Sequence, residues 1–329
     1  MQRLPRGFII DPSRIVSLED VSSMECYELP DGRIARRMLE GISFTVAGGQ
    51  RYALLGDDAF DLKLLTEIIG NIKPYESGRC SLVGLGMMRE KQRILQQVYY
   101  INEQSRVYPH MQGISYLMFA SRNVMKNTVD RQLMWLKRLM EFGLDRLCFT
   151  YVRNMTTAEW VLMLLLLALD AAAPLLLLDL SMVDVPEPLI DVYAHVLRSL
   201  TEDAGKTVVF STTQRALCDK CATHAAMIIG GRLDPAHTGS LEMLYETLDK
   251  RLYTLRAADD AVDAVTRAFP DLRVEAEDGV VSIYGEKEHA PAPSQILDAL
   301  EAANVEVRNF ARSEPTLAEA MKEVIRGAV

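Results

Sequence analysis

The 329-residue chain is 49% apolar and 25% charged, an ordinary balance for a globular protein, and it is long enough for one large domain plus a small one. Its formal charge of −9 argues against a nucleic-acid partner, which needs Lys and Arg along a groove or face. The longest apolar run near the N-terminus is FII, far short of the roughly 7 to 15 residues of a secretory signal, so the chain is expected in the cytoplasm.

In chain order, the first 50 residues alternate as strands and hairpins: RIVSLEDV, a turn at LPDGR (29–33), then GISFTVAGGQRYALLG. The spacing predicts a helix over 61–72, closed by Pro74, Ser77 and Gly78 before a short strand over 80–83. Residues 112–147 carry apolar side chains at helical spacing (Leu117, Phe119, Leu133, Leu136, Leu139, Met140) and read as a helical insert.

The stretch 161–178, VLMLLLLALDAAAPLLLL, has the length of a membrane span but is interrupted by Asp170 and Pro174. It reads instead as a buried helix, 159–170, followed by a strand from Leu175 whose unbroken apolar run fits a parallel strand covered on both faces. With a helix over 188–204 and the strand TVVFSTT (207–213), it forms a βαβ unit. After GGRL (230–233) comes a connecting helix over 239–250. Residues 251–329 then follow the order β-α-β-β-α-β plus a helix from Pro315, a small ferredoxin-like layer.

Five scattered cysteines suit reduced thiols better than a disulfide framework. Cys218, Cys221 and His224 in CDKCATH have the look of metal ligands, but a structural zinc site needs a fourth and none lies nearby in sequence. His110, His195, His237 and His289 are isolated, and Asp184, Glu187 and Asp191 read as a solvated loop and helix start.

The stretch GDDAFDLKLL (56–65) follows a core strand and opens a helix, where aspartates cap free N–H groups and complement the helix dipole. With MTTAE at 155–159, LLLLDLS at 175–181 and VVFSTT at 208–213, the chain resembles the ATP-binding subunit of an ABC transporter over nearly its whole length. Ser313, Glu314, Pro315, Thr316 and Leu317 add a likeness to the EPTLED segment of exporter-type subunits with a C-terminal extension. The resemblance implies a P-loop NTPase-like α/β domain over 1–238, with a parallel core sheet, an antiparallel β layer and a helical insert at about 105–160. A linker helix (239–250) and a small α+β ferredoxin-like domain (251–329) complete the expected organisation.

In that family the phosphate loop GxxxxGK[ST] closes backbone N–H groups around phosphates, while its Lys and hydroxyl meet charge and magnesium. Here Gly56 matches the first glycine, but Asp61 stands at the second, Leu62 at the lysine and Lys63 at the Ser/Thr. Asp57, Asp58 and Asp61 make the loop negative, so the carboxylates are expected to take the electrostatic role of phosphate. MTTAE occupies the place of LSGGQ, with Thr156, Thr157 and Glu159 at signature positions. LLLLDLS keeps Asp179 but puts Leu180 at the catalytic glutamate, and Thr213 replaces the switch histidine. Gln104 matches the Q-loop glutamine, and Tyr27 is either an adenine-stacking ring or, as readily, an ordinary tyrosine of the β layer.

The resemblance implies a catalytically degenerate subunit that pairs head to tail with another ATPase subunit and serves a membrane permease, peripheral on the inner face of the cell membrane. Its own site is expected to hold no cofactor and to lack hydrolysis, since Leu62, Leu180 and Thr213 offer neither a base nor charge stabilisation. ATP and magnesium are expected only at a site shared with the partner. The alternative is a non-transport scaffold or regulatory protein that retains only the fold.

Overall fold

The structure is a computed structural model that describes residues 11–28, 32, 34–87, 90–103, 106–124, 126–248, 251–257, 260–277, 279–285, 290–303, 305 and 307–312. The chain divides into two compact units, Met1–Leu241 and Glu242–Val329.

The first unit opens with two long antiparallel strands, β1 (Val16–Glu28) and β2 (Ile34–Val46). Strand β3 (Arg51–Gly56) then leads directly into helix α1 (Ala59–Ile69). Next come β4 (Ser77–Leu82), which pairs with β1, the short β5 (Leu85–Gly86), helix α2 (Lys91–Leu95) and β6 (Val98–Ile101).

The helical insert holds α3 (Gly113–Ala120), α4 (Thr128–Glu141), two short 3₁₀ turns and α5 (Thr157–Ala168). Asn127 starts α4 by accepting the Val129 N–H at 2.9 Å, and buried Trp135 donates its indole N–H to Ser121 Oγ at 2.7 Å. Arg138 ties α4 to the chain after α5 through a paired contact with Asp170, one arm of it 2.8 Å.

Strand β7 (Leu175–Asp179), helix α6 (Glu187–Glu202), β8 (Thr207–Thr212), helix α7 (Arg215–Cys221), β9 (His224–Ile229) and β10 (Arg232–Ser240) complete the unit. β6, β7, β8, β3 and β9 lie side by side in parallel, as the βαβ reading requires. All five residues of β7 are buried, which is why the run LLLL shows no alternation. The candidate membrane span is thus a helix and a core strand, and among the described residues no helix is long and apolar enough to cross a membrane.

Helix α1 lies within the core between the parallel sheet and the antiparallel layer. Its Leu62, Leu64, Leu65, Ile68 and Ile69 join one cluster with Val16, Leu39 and Ile42 of β1 and β2 and with Leu54, Leu175 and Val209 of the parallel strands. The two layers meet in one ten-stranded sheet, where β10 is antiparallel to β9 and touches β2 at the pair Arg232 and Glu40. The CDKCATH group is structural packing: Cys218 and Cys221 are buried in α7, and the His224 ring nitrogens lie 3.0 Å from Gln50 and from Thr223.

Helix α8 (Leu241–Leu248) is followed by the second unit's sheet: β11 (Arg251–Arg256), β12 (Arg273–Glu277), β13 (Val280–Tyr284) and β14 (Asn309–Arg312). The order β12-β13-β11-β14 is antiparallel throughout and, with α9 (Asp260–Ala268) and α10 (Pro293–Ala302), gives the ferredoxin-like arrangement. Leu252, Leu255, Val265, Val281, Ile283, Ile296 and Leu300 form its core. The last strand begins at Asn309 rather than Val305. The turn at 29–33 lies outside the described residues except for Gly32, as do Ser313 to Leu317, the helix from Pro315, Gln104 and His289.

The β9–β10 turn is made by Gly230 and Gly231, both at positive φ (+57° and +76°). A Cβ on Gly230 meets open space, whereas one on Gly231 falls 1.8 Å from the Met38 carbonyl oxygen of β2. Gly230→Ala is therefore expected to cost about 1 kcal/mol from backbone strain alone, and Gly231→Ala about 3 kcal/mol or more because β2 must move. Thermal melts of the two variants check the contrast.

Candidate functional site

Open α/β sheets bind ligands beyond the carboxyl ends of their parallel strands, and here the end of β3 meets the start of α1. Gly56 is buried there, and a Cβ on it would lie 2.8 Å from the Ile228 carbonyl oxygen and 3.1 Å from Leu62 Cδ2. Leu62, in the lysine position, is fully buried and fills the space over Gly56.

Asp57 is exposed, and Asp58 caps the helix from an extended conformation. Its Oδ1 accepts the N–H of Phe60 at 2.8 Å and of Asp61 at 3.3 Å. The same carboxylate is gripped by Arg37 from β2, with Nε 3.1 Å from Oδ1 and Nη2 2.6 Å from Oδ2. The guanidinium also lies 5.7 Å from the centre of the Phe60 ring.

Asp61 is only 6% exposed, with Arg37 Nε at 3.7 Å from its Oδ1. That oxygen has no hydrogen bond. Burial, helped by the nearby Asp58 charge, pushes the Asp61 carboxyl up to about 6, against the pull of Arg37 and a backbone N–H bond from Gly231.

Lys63, in the Ser/Thr position, is drawn to Glu103 at 3.2 Å, next to the undescribed Gln104. One turn on, Glu67 accepts from the Tyr27 hydroxyl at 3.4 Å and lies 3.8 Å from Lys73 Nζ, which pairs with Glu25 at 2.6 Å. Burial raises the Glu67 carboxyl, with Lys73 and Lys63 opposing. The Tyr27 ring, the candidate adenine stack, sits 5.1 Å from Phe60 with Lys73 over its face at 4.7 Å. Lys73, Tyr27, Phe60 and Arg37 thus form an internal stack of cations and aromatics.

Asp179 at the end of β7 is 5% exposed and already satisfied. Its Oδ1 accepts from Ser181 N–H at 3.1 Å, Ser181 Oγ at 2.6 Å and Ser211 Oγ at 2.9 Å, and its Oδ2 from the Tyr100 hydroxyl at 3.4 Å. Leu180 is fully buried, and Thr213 is half-buried. Gln214, which sequence reasoning passed over, ties the chain after β7 to the chain after β8. Its Oε1 accepts the Val185 N–H at 2.8 Å, and its Nε2 donates to Asp184 at 2.9 Å.

On the helical insert, Thr156 caps α5. Its hydroxyl accepts the Glu159 N–H at 3.2 Å, and Glu159 returns the bond by accepting the Thr156 N–H at 2.8 Å. Glu159 also pairs with Arg146. Thr157 is half-buried, and the Ala158 carbonyl accepts the Tyr193 hydroxyl at 2.7 Å.

A buried acid whose carboxyl is raised destabilises the fold while ionised. The cost is full above about pH 6 and disappears as pH falls towards the unfolded value near 3.8. Asp61→Asn is therefore expected to melt several degrees higher than the parent chain at pH 7.5, with the advantage shrinking steadily towards pH 4, as paired melts across that range would read.

No family model matches the sequence, and no curated protein matches it. Solved structures do. One is the bacterial ABC transporter cassette MJ0796 in a dimeric structure, at 15% identity and a TM-score of 0.53, covering 67% of this chain and 96% of that one. Another is cbiO1 from Clostridium perfringens, described as part of the ABC transporter complex cbiONQ, at 14% identity and 0.54, covering 78% and 96%. A third is an ATP-binding subunit of an ABC transporter, at 18% and 0.50, covering 70% and 98%. Identities this low speak to architecture alone, and the fold of this chain is the one that ATP-binding cassettes of ABC transporters share.

Proposed function

We propose that this chain is a catalytically degenerate ATP-binding-cassette subunit that pairs with a second ATPase subunit and with a membrane permease at the inner face of the membrane. The observation that carries the reading is the Arg37–Asp58 pair: the amides at the start of α1 and a converging guanidinium, which would serve an incoming phosphate, are already bound to a side chain of the loop itself.

The other residues agree. Leu62 fills the loop where a lysine would reach a phosphate, and Asp179 spends its oxygens on Ser181, Ser211 and Tyr100. Asp57, Asp58 and Asp61 gather at the junction of β3 and α1, with Arg37 the one cation paired with Asp58 and Asp61 among the described residues. Each close like-charge pair with a polyanion would cost on the order of 1 kcal/mol in water and about 4 at an effective dielectric of 20. ATP with magnesium does not fit this set, so no catalytic step is assigned to it.

The chain's active contribution is then its α5 end. Exposed Thr156, whose hydroxyl caps the helix by accepting the Glu159 N–H, keeps its O–H to donate to a nucleotide held by the partner's loop. Thr157 and Ala158 stand where glycines would allow closer backbone approach, so that shared site is weakened rather than removed. That cbiO1 is described as part of a multi-subunit transporter complex supports membership in such an assembly.

Calorimetry of the purified chain with magnesium and ATP up to millimolar concentration tests the central point. The expected result is no saturable heat, no change in melting temperature and no phosphate release; saturable binding would overturn the reading. Affinity purification from the native cells is expected to recover a permease and an intact ATPase subunit, and recovery of soluble partners alone would favour a scaffold role.

A further inference from the structure

The ten-stranded sheet ends at β5, which is only two residues long. It pairs with Ser81 and Leu82 of β4, and the Met87 N–H just beyond it reaches the Cys80 carbonyl oxygen at 3.1 Å. Ser77, Gly78 and Arg79 carry β4 past that point, exposed and with no strand on their outer side among the described residues. Open backbone at a sheet edge is a template for an added strand.

A groove of about 540 Å³ lies at this gap, lined by Tyr75 through Ser81, by Gly86 and Met87 where β5 stops, and by Ser17 and Glu19 of β1. Ser17 is 5% exposed and faces Ser81 in the β1–β4 ladder, yet neither hydroxyl has a hydrogen bond among the described residues. A hydroxyl so covered, in contact with the groove, is a donor and acceptor left for an occupant. Glu76 is exposed and without a partner among the described residues, and Glu19 is held only by Arg79 at 3.9 Å, so the rim carries two carboxylates against one guanidinium. The groove follows the C-terminal end of α1, whose 11 residues span about 16 Å, and is therefore separate from the loop at Asp58.

We propose that this slot docks an extended, lysine- or arginine-bearing peptide segment of a partner protein, which adds as a short strand beside Ser77 to Arg79. Its backbone pairs with β4, its polar groups meet the Ser17 and Ser81 hydroxyls, and its basic side chains reach Glu76 and Glu19. At about 3.3 Å per residue the slot takes a few residues, which sets a weak, salt-sensitive contact rather than a permanent interface.

Fluorescence anisotropy of the labelled pentapeptide TKVKT with the full chain tests this, beside TEVET, which reverses the charge, and PKPKP, which keeps the charge but cannot extend as a paired strand. TKVKT is expected to bind saturably at millimolar concentration or below, more tightly at low salt, and to slow hydrogen exchange over 77–80, whereas the other two do not bind. Glu76→Lys, at an exposed side chain, should leave the melting temperature in place and weaken TKVKT about fivefold or more. Absence of saturable binding, equal binding of TEVET or PKPKP, binding without slower exchange over 77–80, or an affinity that Glu76→Lys leaves unchanged would each overturn the proposal. So would self-association of the chain that Glu76→Lys abolishes, since the edge would then belong to a second copy. None of these readings depends on nucleotide, so the proposal and the degenerate-subunit reading can fail separately.

Discussion

A helix that begins inside a protein must satisfy its first amide groups, and the start of α1 is the point on which the first unit turns. Here the demand is met by Asp58 on one side and by Arg37 reaching across from β2 on the other. Because α1 is packed between the parallel sheet and the antiparallel layer, this charge pair joins the layers at the same place where their apolar surfaces meet. An arrangement that elsewhere could depend on a bound anion is complete within the polypeptide.

Other features follow from the same closure. With the helix start satisfied from within, position 62 is given to packing, and Leu62 covers Gly56. The cations near the site also look inward: Lys63 to Glu103, Lys73 to Glu25 and Tyr27. Asp61 is the least compensated carboxylate of the group, buried beside Asp58 with its Oδ1 lacking a hydrogen bond and Arg37 3.7 Å away. The cost is carried because Leu62, Leu64, Leu65, Ile68 and Ile69 bury the same helix in the core.

Much of this was legible in the sequence because it rests on local patterns. LLLLD announced a doubly covered strand, the period-two and period-3.6 runs after Lys250 gave the ferredoxin-like order, and Asp58 was readable as a helix-starting carboxylate. Arg37 was not, since its role depends on a strand 21 residues earlier facing α1, and IARRM offers two adjacent arginines that differ only in which face of the strand they occupy. Gln214 was missed for a similar reason: its partners Asp184 and Val185 are about 30 residues away, across a helix. The short helices α2 and α7 were missed because five or seven residues carry too little periodicity to stand out.

The seam between the two sheets has a consequence for how the chain is made. β2 lies near the N-terminus, yet its neighbour β10 begins at Arg232, and Arg232 closes on Glu40 across 192 positions of sequence. Loop closure over such a span comes late, after contacts between nearer segments have formed. On the ribosome, the N-terminal hairpin therefore waits with one edge unpaired until nearly all of its unit has emerged. The Arg37–Asp58 bridge, only 21 positions apart, is the tie that can hold it against α1 in the meantime.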